Sequence, residues 1–167
     1  KIWNTTIGTF GSSPAVSDGI VYVGSNDFNI YALNASTGDK IWNHKTGAPI
    51  DSSPAISGNY VYIGSGDGKV YALEAHTGEK KWTFSTSHRI TASPTIANGA
   101  VYISSQGGGV YALNSTTGLQ LWNNDPGAVY YSSVAIADGI VYVGSAAINA
   151  STGVTIWSYP TSNEIHC

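Results

Sequence analysis

Few side chains in this 167-residue chain could carry chemistry, and their spacing does not suit catalysis. The four histidines, His44, His76, His88 and His166, show no metal-ligand spacing, and each reads as a turn or solvated residue. A single cysteine, Cys167, excludes an internal disulfide and a cysteine-based zinc cluster. Asp18, Asp27, Asp39, Asp67 and Asp138 lie in or beside turn-forming residues, where a short carboxylate caps backbone N–H groups without any catalytic role. There is no Gly-x-Ser-x-Gly elbow and no phosphate loop ending in Gly-Lys-Ser or Gly-Lys-Thr. The glycine run 107–109 reads as a turn, and Arg89, the only arginine, is isolated. The expectation is therefore no catalytic residue, no cofactor and no metal ligand.

Composition narrows the partners. Seven Lys plus Arg against ten Asp plus Glu leave a net charge of −3, without the basic excess that nucleic-acid binding needs. No apolar run approaches the roughly 20 residues of a spanning helix, so membrane insertion is not expected. The chain opens on Lys1 and has no methionine, which reads as a processed product or an excised piece.

The elements that position these residues follow a strict period. Val21-Tyr22-Val23-Gly24-Ser25 returns at 61–65, 101–105 and 141–145, each time 40 residues on. Ser12-Ser13-Pro14-Ala15 and Tyr31-Ala32-Leu33 recur at the same offset. Tryptophans close the units at Trp42, Trp82, Trp122 and Trp157, with Trp3 left from an earlier one. Within the second unit, the alternation and turn residues predict four strands: A at 51–56, B at 60–64, C at 69–73 and D at 80–84. Pairs such as Asp18-Gly19 and Asn98-Gly99 link A to B, and Thr-Gly pairs link C to D. No window has a helical period.

Four-stranded antiparallel units of this length, repeated, predict an all-β β-propeller. The pattern Val61-Tyr62-Ile63-Gly64-Ser65-Gly66-Asp67-Gly68-Lys69-Val70-Tyr71-Ala72-Leu73, then Ala75, Thr77-Gly78 and Trp82, resembles the repeat of PQQ-type propellers, the quinoprotein dehydrogenases and their non-enzymatic cell-surface and envelope relatives. The resemblance implies that Trp3, Trp42, Trp82, Trp122 and Trp157 are structural docking residues between blades. Where that family has Asp in its docking motif, this chain has Asn34, Glu74 or Asn114. The resemblance also implies rings of seven or eight blades, of which four repeats form about half.

The expected layout is one partial propeller over 1–167: a strand D of a preceding blade at 1–6, blades at 7–46, 47–86 and 87–126, a shortened blade at 127–160, and a tail at 161–167. The last unit has lost five residues between Val141 and Trp157, which predicts a distorted blade lacking most of strand C. The N-terminal strand, with Trp3 lacking its docking partners, is then expected to complete or pack beside that blade in another copy, head to tail.

Quinoprotein dehydrogenases hold PQQ beneath a disulfide of adjacent cysteines, beside calcium and above a tryptophan floor. One cysteine cannot supply that disulfide, and all five tryptophans occupy docking positions. The favoured function is thus a non-catalytic module outside the cytoplasm, secreted, periplasmic or on the cell surface. It serves as a scaffold for a protein or glycan partner, or for copies of itself as a homo-oligomer; the missing remainder of a longer chain would complete it equally well. The alternative is a fragment of a PQQ-dependent alcohol or sugar dehydrogenase whose cofactor site lies in sequence not present. Against the uniform scaffold, the positions before the Ser-Ser-Pro segment vary, namely Gly11, Asp51, Thr91 and Tyr131, and the last three are the candidate channel or partner-facing residues. Asn4, Asn34, Asn114 and Asn149 are candidate glycosylation sites.

Overall fold

The computed structural model describes residues 3–9, 11–127 and 132–159. Its described residues hold sixteen strands and no helix, in four antiparallel sheets whose strands neighbour one another in chain order. Blade 1 comprises β1 (Ala15–Ser17), β2 (Ile20–Gly24), β3 (Asn29–Asn34) and β4 (Lys40–Lys45). Blade 2 comprises β5 (Ala55–Ser57), β6 (Tyr60–Gly64), β7 (Lys69–Glu74) and β8 (Lys80–Ser85). Blade 3 comprises β9 (Thr95–Ala97), β10 (Ala100–Ser104), β11 (Val110–Asn114) and β12 (Gln120–Asn124). Blade 4 comprises β13 (Ala135–Ala137), β14 (Ile140–Val143), β15 (Ala146–Asn149) and β16 (Thr155–Ser158). The innermost strands stand side by side, β1 with β5, β5 with β9 and β9 with β13, but no contact of that extent joins β13 to β1. Four blades make an open arc.

Local chemistry sets the hairpins. Asp18-Gly19, Asn98-Gly99 and Asp138-Gly139 have positive φ at both residues, the turn whose twist matches that of the flanking strands. Strand pairing then lays one residue of each type across a blade face. Tyr22 stands opposite Ala32 and Ala32 opposite Trp42, and the same Tyr-Ala-Trp row recurs as 62-72-82, 102-112-122 and 142-147-157. The small alanine lets the two rings meet above it, with centroids 5.8 to 5.9 Å apart in blades 1 to 3 and 6.4 Å in blade 4. The core lies between blades rather than within them, for Tyr22 and Trp42 share one apolar cluster with Val61, Ile63 and Leu73 of the next blade.

Two expectations about the ends of the arc are corrected. Blade 4 is not missing strand C, since β15 pairs fully with both β14 and β16. The five absent residues come from the turn, which shrinks from the four residues 25–28 to Gly144-Ser145, and from the ends of the two strands it joins. A two-residue hairpin preserves the register, and Tyr159 N–H donates to the Ser145 carbonyl at 3.0 Å to close the end. The blade therefore has no vacancy for a strand from another copy. At the other terminus, residues 3–7 form no strand, yet Trp3 has found docking partners in its own chain: its indole donates to the Ala35 carbonyl at 2.8 Å. Lys1, Ile2 and the tail at 161–167 lie outside the described residues.

Trp3, Trp42, Trp82 and Trp122 each land on the glycine of the following C–D turn. A Cβ on Gly118 would stand 2.6 Å from the Trp82 ring, and its φ of +72° already disfavours a side chain. Gly118→Ala is expected to cost about 2–4 kcal/mol in urea unfolding, whereas Gly99→Ala, at φ +75° with open space around it, costs about 1 kcal/mol.

Candidate functional site

Residues near the arc's axis were the first candidates. Consecutive blades are tied there by serines: Ser13 N–H donates to Ser53 Oγ at 2.9 Å, Ser53 N–H to Ser93 Oγ at 3.0 Å and Ser93 N–H to Ser133 Oγ at 3.2 Å. Asp51 lies at the start of this ladder, with one carboxylate oxygen 3.9 Å from the Arg89 guanidinium. The other oxygen would be 2.5 Å from a Cβ at Gly11, so Gly11 and Asp51 are brought together, and Asn26 closes the same corner. The Thr91 hydroxyl is buried without a hydrogen-bond partner among the described residues. Tyr131 lies outside the described residues.

The acidic turn residues are engaged locally. Tyr31 donates to Asp27 at 2.6 Å and Tyr71 to Asp67 at 2.5 Å, and Asp67 also accepts the Gly47 N–H at 2.9 Å. Burial pushes Asp27 up, but hydrogen bonds from Tyr31, Asn29 and Ser25 outweigh it and hold the carboxyl below its usual value. Burial and the hydrogen bond to Asp27 push the Tyr31 phenol up to about 12. His44 packs edge-on to Tyr71, centroids 5.8 Å apart. Burial, with the nearby Lys80 charge, lowers its pKa. His76 pairs with Glu74 at 3.6 Å, and His166 is outside the described residues. Among the described residues, no three His, Cys, Asp or Glu side chains converge as a metal site.

The docking motif's hydrogen-bonding role survives its departures from Asp. Asn34, Asn114 and Asn149 each accept two backbone N–H groups through Oδ1, and Glu74 does so through Oε2. The three asparagines are thus turn caps as well as candidate glycan acceptors, and Asn4 stands exposed in the N-terminal arm.

Each internal junction also carries a second donor. The Ala75 carbonyl accepts both the Trp42 indole at 2.8 Å and the Tyr22 hydroxyl at 3.2 Å. Ser115 does the same for Trp82 and Tyr62, and Ala150 for Trp122 and Tyr102. Tryptophan docking was legible from the repeat; the tyrosine's share was not, although the fixed 20-residue interval from Tyr22 to Trp42 and its recurrences was the available signal. The arc's ends leave this pairing unfinished. On blade 4, Trp157 is 44% exposed where Trp42, Trp82 and Trp122 are each 8% exposed, and Tyr142 is 37% exposed. On blade 1, a groove of about 270 Å³ opens among Trp3, Ile7, Pro14, Val21, Val23 and Leu33.

Four-stranded blades in sequential order, a Trp of one seated on the Thr-Gly turn of the next, define a PQQ-type propeller arc. The chain belongs to the family described as outer membrane protein assembly factor BamB, whose profile matches residues 1–90 and 26–166. Among solved structures it is similar to BamB from Moraxella catarrhalis, with 20% identity and a TM-score of 0.76 over 90% of this chain and 50% of that one. It is equally similar to the quinohemoprotein alcohol dehydrogenase ADHIIG from Pseudomonas putida HK5, with 21% identity and a TM-score of 0.79 over 91% of this chain and 34% of that one. The enzyme of the same name from Comamonas testosteroni gives 21%, 0.79, 91% and 35%. The chain thus spans half of BamB and about a third of the dehydrogenases, and at these identities the likeness is one of fold. No curated protein matches it.

The residues present do not fit PQQ. Trp42, Trp82 and Trp122 are committed to blade junctions, the sequence has no second cysteine for the disulfide, and Arg89 pairs with Asp51.

A lowered His44 pKa means that the unfolded chain binds the proton more tightly, so stability is complete above the ordinary value of 6.5 and falls as pH drops through the lowered one. The thermal midpoint should decline between pH 7 and 5, and His44→Asn should flatten that decline.

Proposed function

We propose that this arc is a non-catalytic scaffold that works outside the cytoplasm by presenting blade faces to protein partners. The observation that carries the proposal is the pair of unfinished faces, an exposed Tyr142–Trp157 platform at one end and an apolar groove at the other. Contiguous apolar surface of this kind, edged by hydrogen-bonding groups, is the chemistry of a protein interface. Membership of a family named for outer-membrane assembly supports both the partner class and a location in the cell envelope. The low charge, the lone cysteine and the four sequons are compatible with that location, where Asn4, Asn34, Asn114 and Asn149 would be glycan acceptors in a glycosylating host.

A second reading rests on the TM-score of 0.79 to an alcohol dehydrogenase: the arc would be a structural part of a PQQ enzyme. Reconstitution separates the two. Titration with PQQ and calcium, followed by dye-linked alcohol oxidation, is expected to give neither bound-quinone absorbance nor turnover. Saturable quinone binding would establish the dehydrogenase reading and end the scaffold one.

A further inference from the structure

Away from the axis and the ends of the arc, one surface position combines a reactive residue pair with an open setting. Asn98-Gly99 is the only Asn-Gly pair in the sequence, and it forms the turn between β9 and β10. Asn98 is exposed, its side chain makes no hydrogen bond among the described residues, and a Cβ built on Gly99 would meet nothing within 4 Å. The Gly99 N–H likewise has no partner among the described residues, while the Gly99 carbonyl accepts the Ser115 N–H at 2.9 Å. A free carboxamide beside a free backbone amide, with no Cβ crowding that amide, is the arrangement for intramolecular attack.

The asparagines that cap the C–D turns are held off from such a reaction. Asn34, Asn114 and Asn149 each accept two backbone N–H groups through Oδ1. The N–H that follows each is also spent, Ala35 on the Gly19 carbonyl, Ser115 on Gly99 and Ala150 on Gly139, at 2.8 to 2.9 Å. The other blades show in addition that the product would fit. Blades 1 and 4 carry Asp18-Gly19 and Asp138-Gly139 at the same turn, with φ of 50° and 74° and of 51° and 75°, against 50° and 75° for Asn98-Gly99. An aspartate at position 98 is therefore accommodated by the geometry already in place.

We propose that Asn98-Gly99 is a site of spontaneous hydrolytic deamidation in the folded protein, with water as the only co-reactant. The Gly99 nitrogen loses its proton and attacks Asn98 Cγ; the new N–C bond closes a five-membered imide as the side-chain nitrogen leaves as ammonia. Water then breaks one of the two imide C–N bonds. Cleavage at Cγ leaves aspartate, and cleavage at the former backbone carbonyl leaves isoaspartate, whose main chain runs through Cγ. Either way an amide and water become a carboxylate and ammonium. Attack requires rotation about the Asn98 Cα–C bond out of the turn geometry, so the step is gated by local opening at the end of the three-residue strand β9. Isoaspartate lengthens the main chain of a tight hairpin turn and displaces the Gly99 carbonyl. That carbonyl holds the N–H of Ser115, whose own carbonyl receives Trp82 and Tyr62, so the change reaches the junction of blades 2 and 3. The chemistry needs no partner and is independent of what the arc binds.

The test is isotope uptake by the whole folded chain, incubated at neutral and mildly alkaline pH in heavy-oxygen water, then digested and read by mass spectrometry. The peptide carrying residue 98 should take up label, as both aspartate and isoaspartate, faster than all other asparagines together. Ammonia should appear in equal amount, and the rate should rise with pH because the attacking amide must lose a proton. Unfolding in urea should speed the uptake at residue 98, since it removes the gate. Asn98→Asp is expected to keep the thermal midpoint of the unaltered chain, whereas aged chain that contains isoaspartate should melt lower. A folded chain without label at residue 98, whatever happens in urea, or one with equal label at another asparagine, would overturn the proposal. A midpoint lowered as far by Asn98→Asp as by ageing would overturn the role given to isoaspartate.

Discussion

The architecture depends on an indole lying flat on a glycine. Trp42, Trp82 and Trp122 each cover the Thr-Gly turn of the next blade and donate to a carbonyl three residues before that glycine, a carbonyl already shared with a tyrosine. The seat needs a residue without Cβ for two reasons: positive φ and the absence of room for any further atom. Buried indole and phenol groups must also find acceptors, and one carbonyl with two lone pairs satisfies both. Burial pushes the phenols of Tyr22, Tyr62 and Tyr102 up, so they remain donors over the whole physiological range.

This constraint makes the arc modular. Because each blade buries one face on its neighbour, stability is a chain of similar junctions, as in other repeat proteins, and the ends are necessarily unlike the middle. The N-terminal arm and the shortened fourth blade treat the two ends differently. Trp3 supplies an indole to the C–D turn of blade 1, whereas Trp157 is 44% exposed. At the axis a thinner thread of serine hydrogen bonds links the same blades and sets the spacing at which Asp51, Arg89 and Thr91 sit. Asp51 and Arg89 form one ion pair there, and the Thr91 hydroxyl is buried without a hydrogen-bond partner among the described residues.

Much of this was legible in the residues. The period of 40 residues, the four strands of each blade, the hairpin turns and the recurrence of the tryptophans that dock at Trp42, Trp82 and Trp122 all follow from patterns within a few positions of one another. Others were misread for a physical reason. The gap in the fourth repeat looked like a lost strand because residues were counted against the other units; the chain instead tightened the turn and trimmed both strand ends, which preserves pairing. Trp3 looked stranded because its partners lie 32 residues away, at Ala35, in a blade whose role as acceptor is set only by packing.

The division follows the range of the forces. By itself the sequence determined the elements, because turn chemistry, alternation and small-residue positions act locally on φ, ψ and side-chain direction. It determined the family as well, since the docking motif is contiguous from Ala72 to Trp82. Only the tertiary structure decided which carbonyl receives two donors, which end of the arc keeps a vacant groove and which keeps exposed rings. Those outcomes rest on contacts such as Tyr22 to Ala75, 53 positions apart, where the partner is chosen by the packing of one blade on the next and not by any neighbour in the chain.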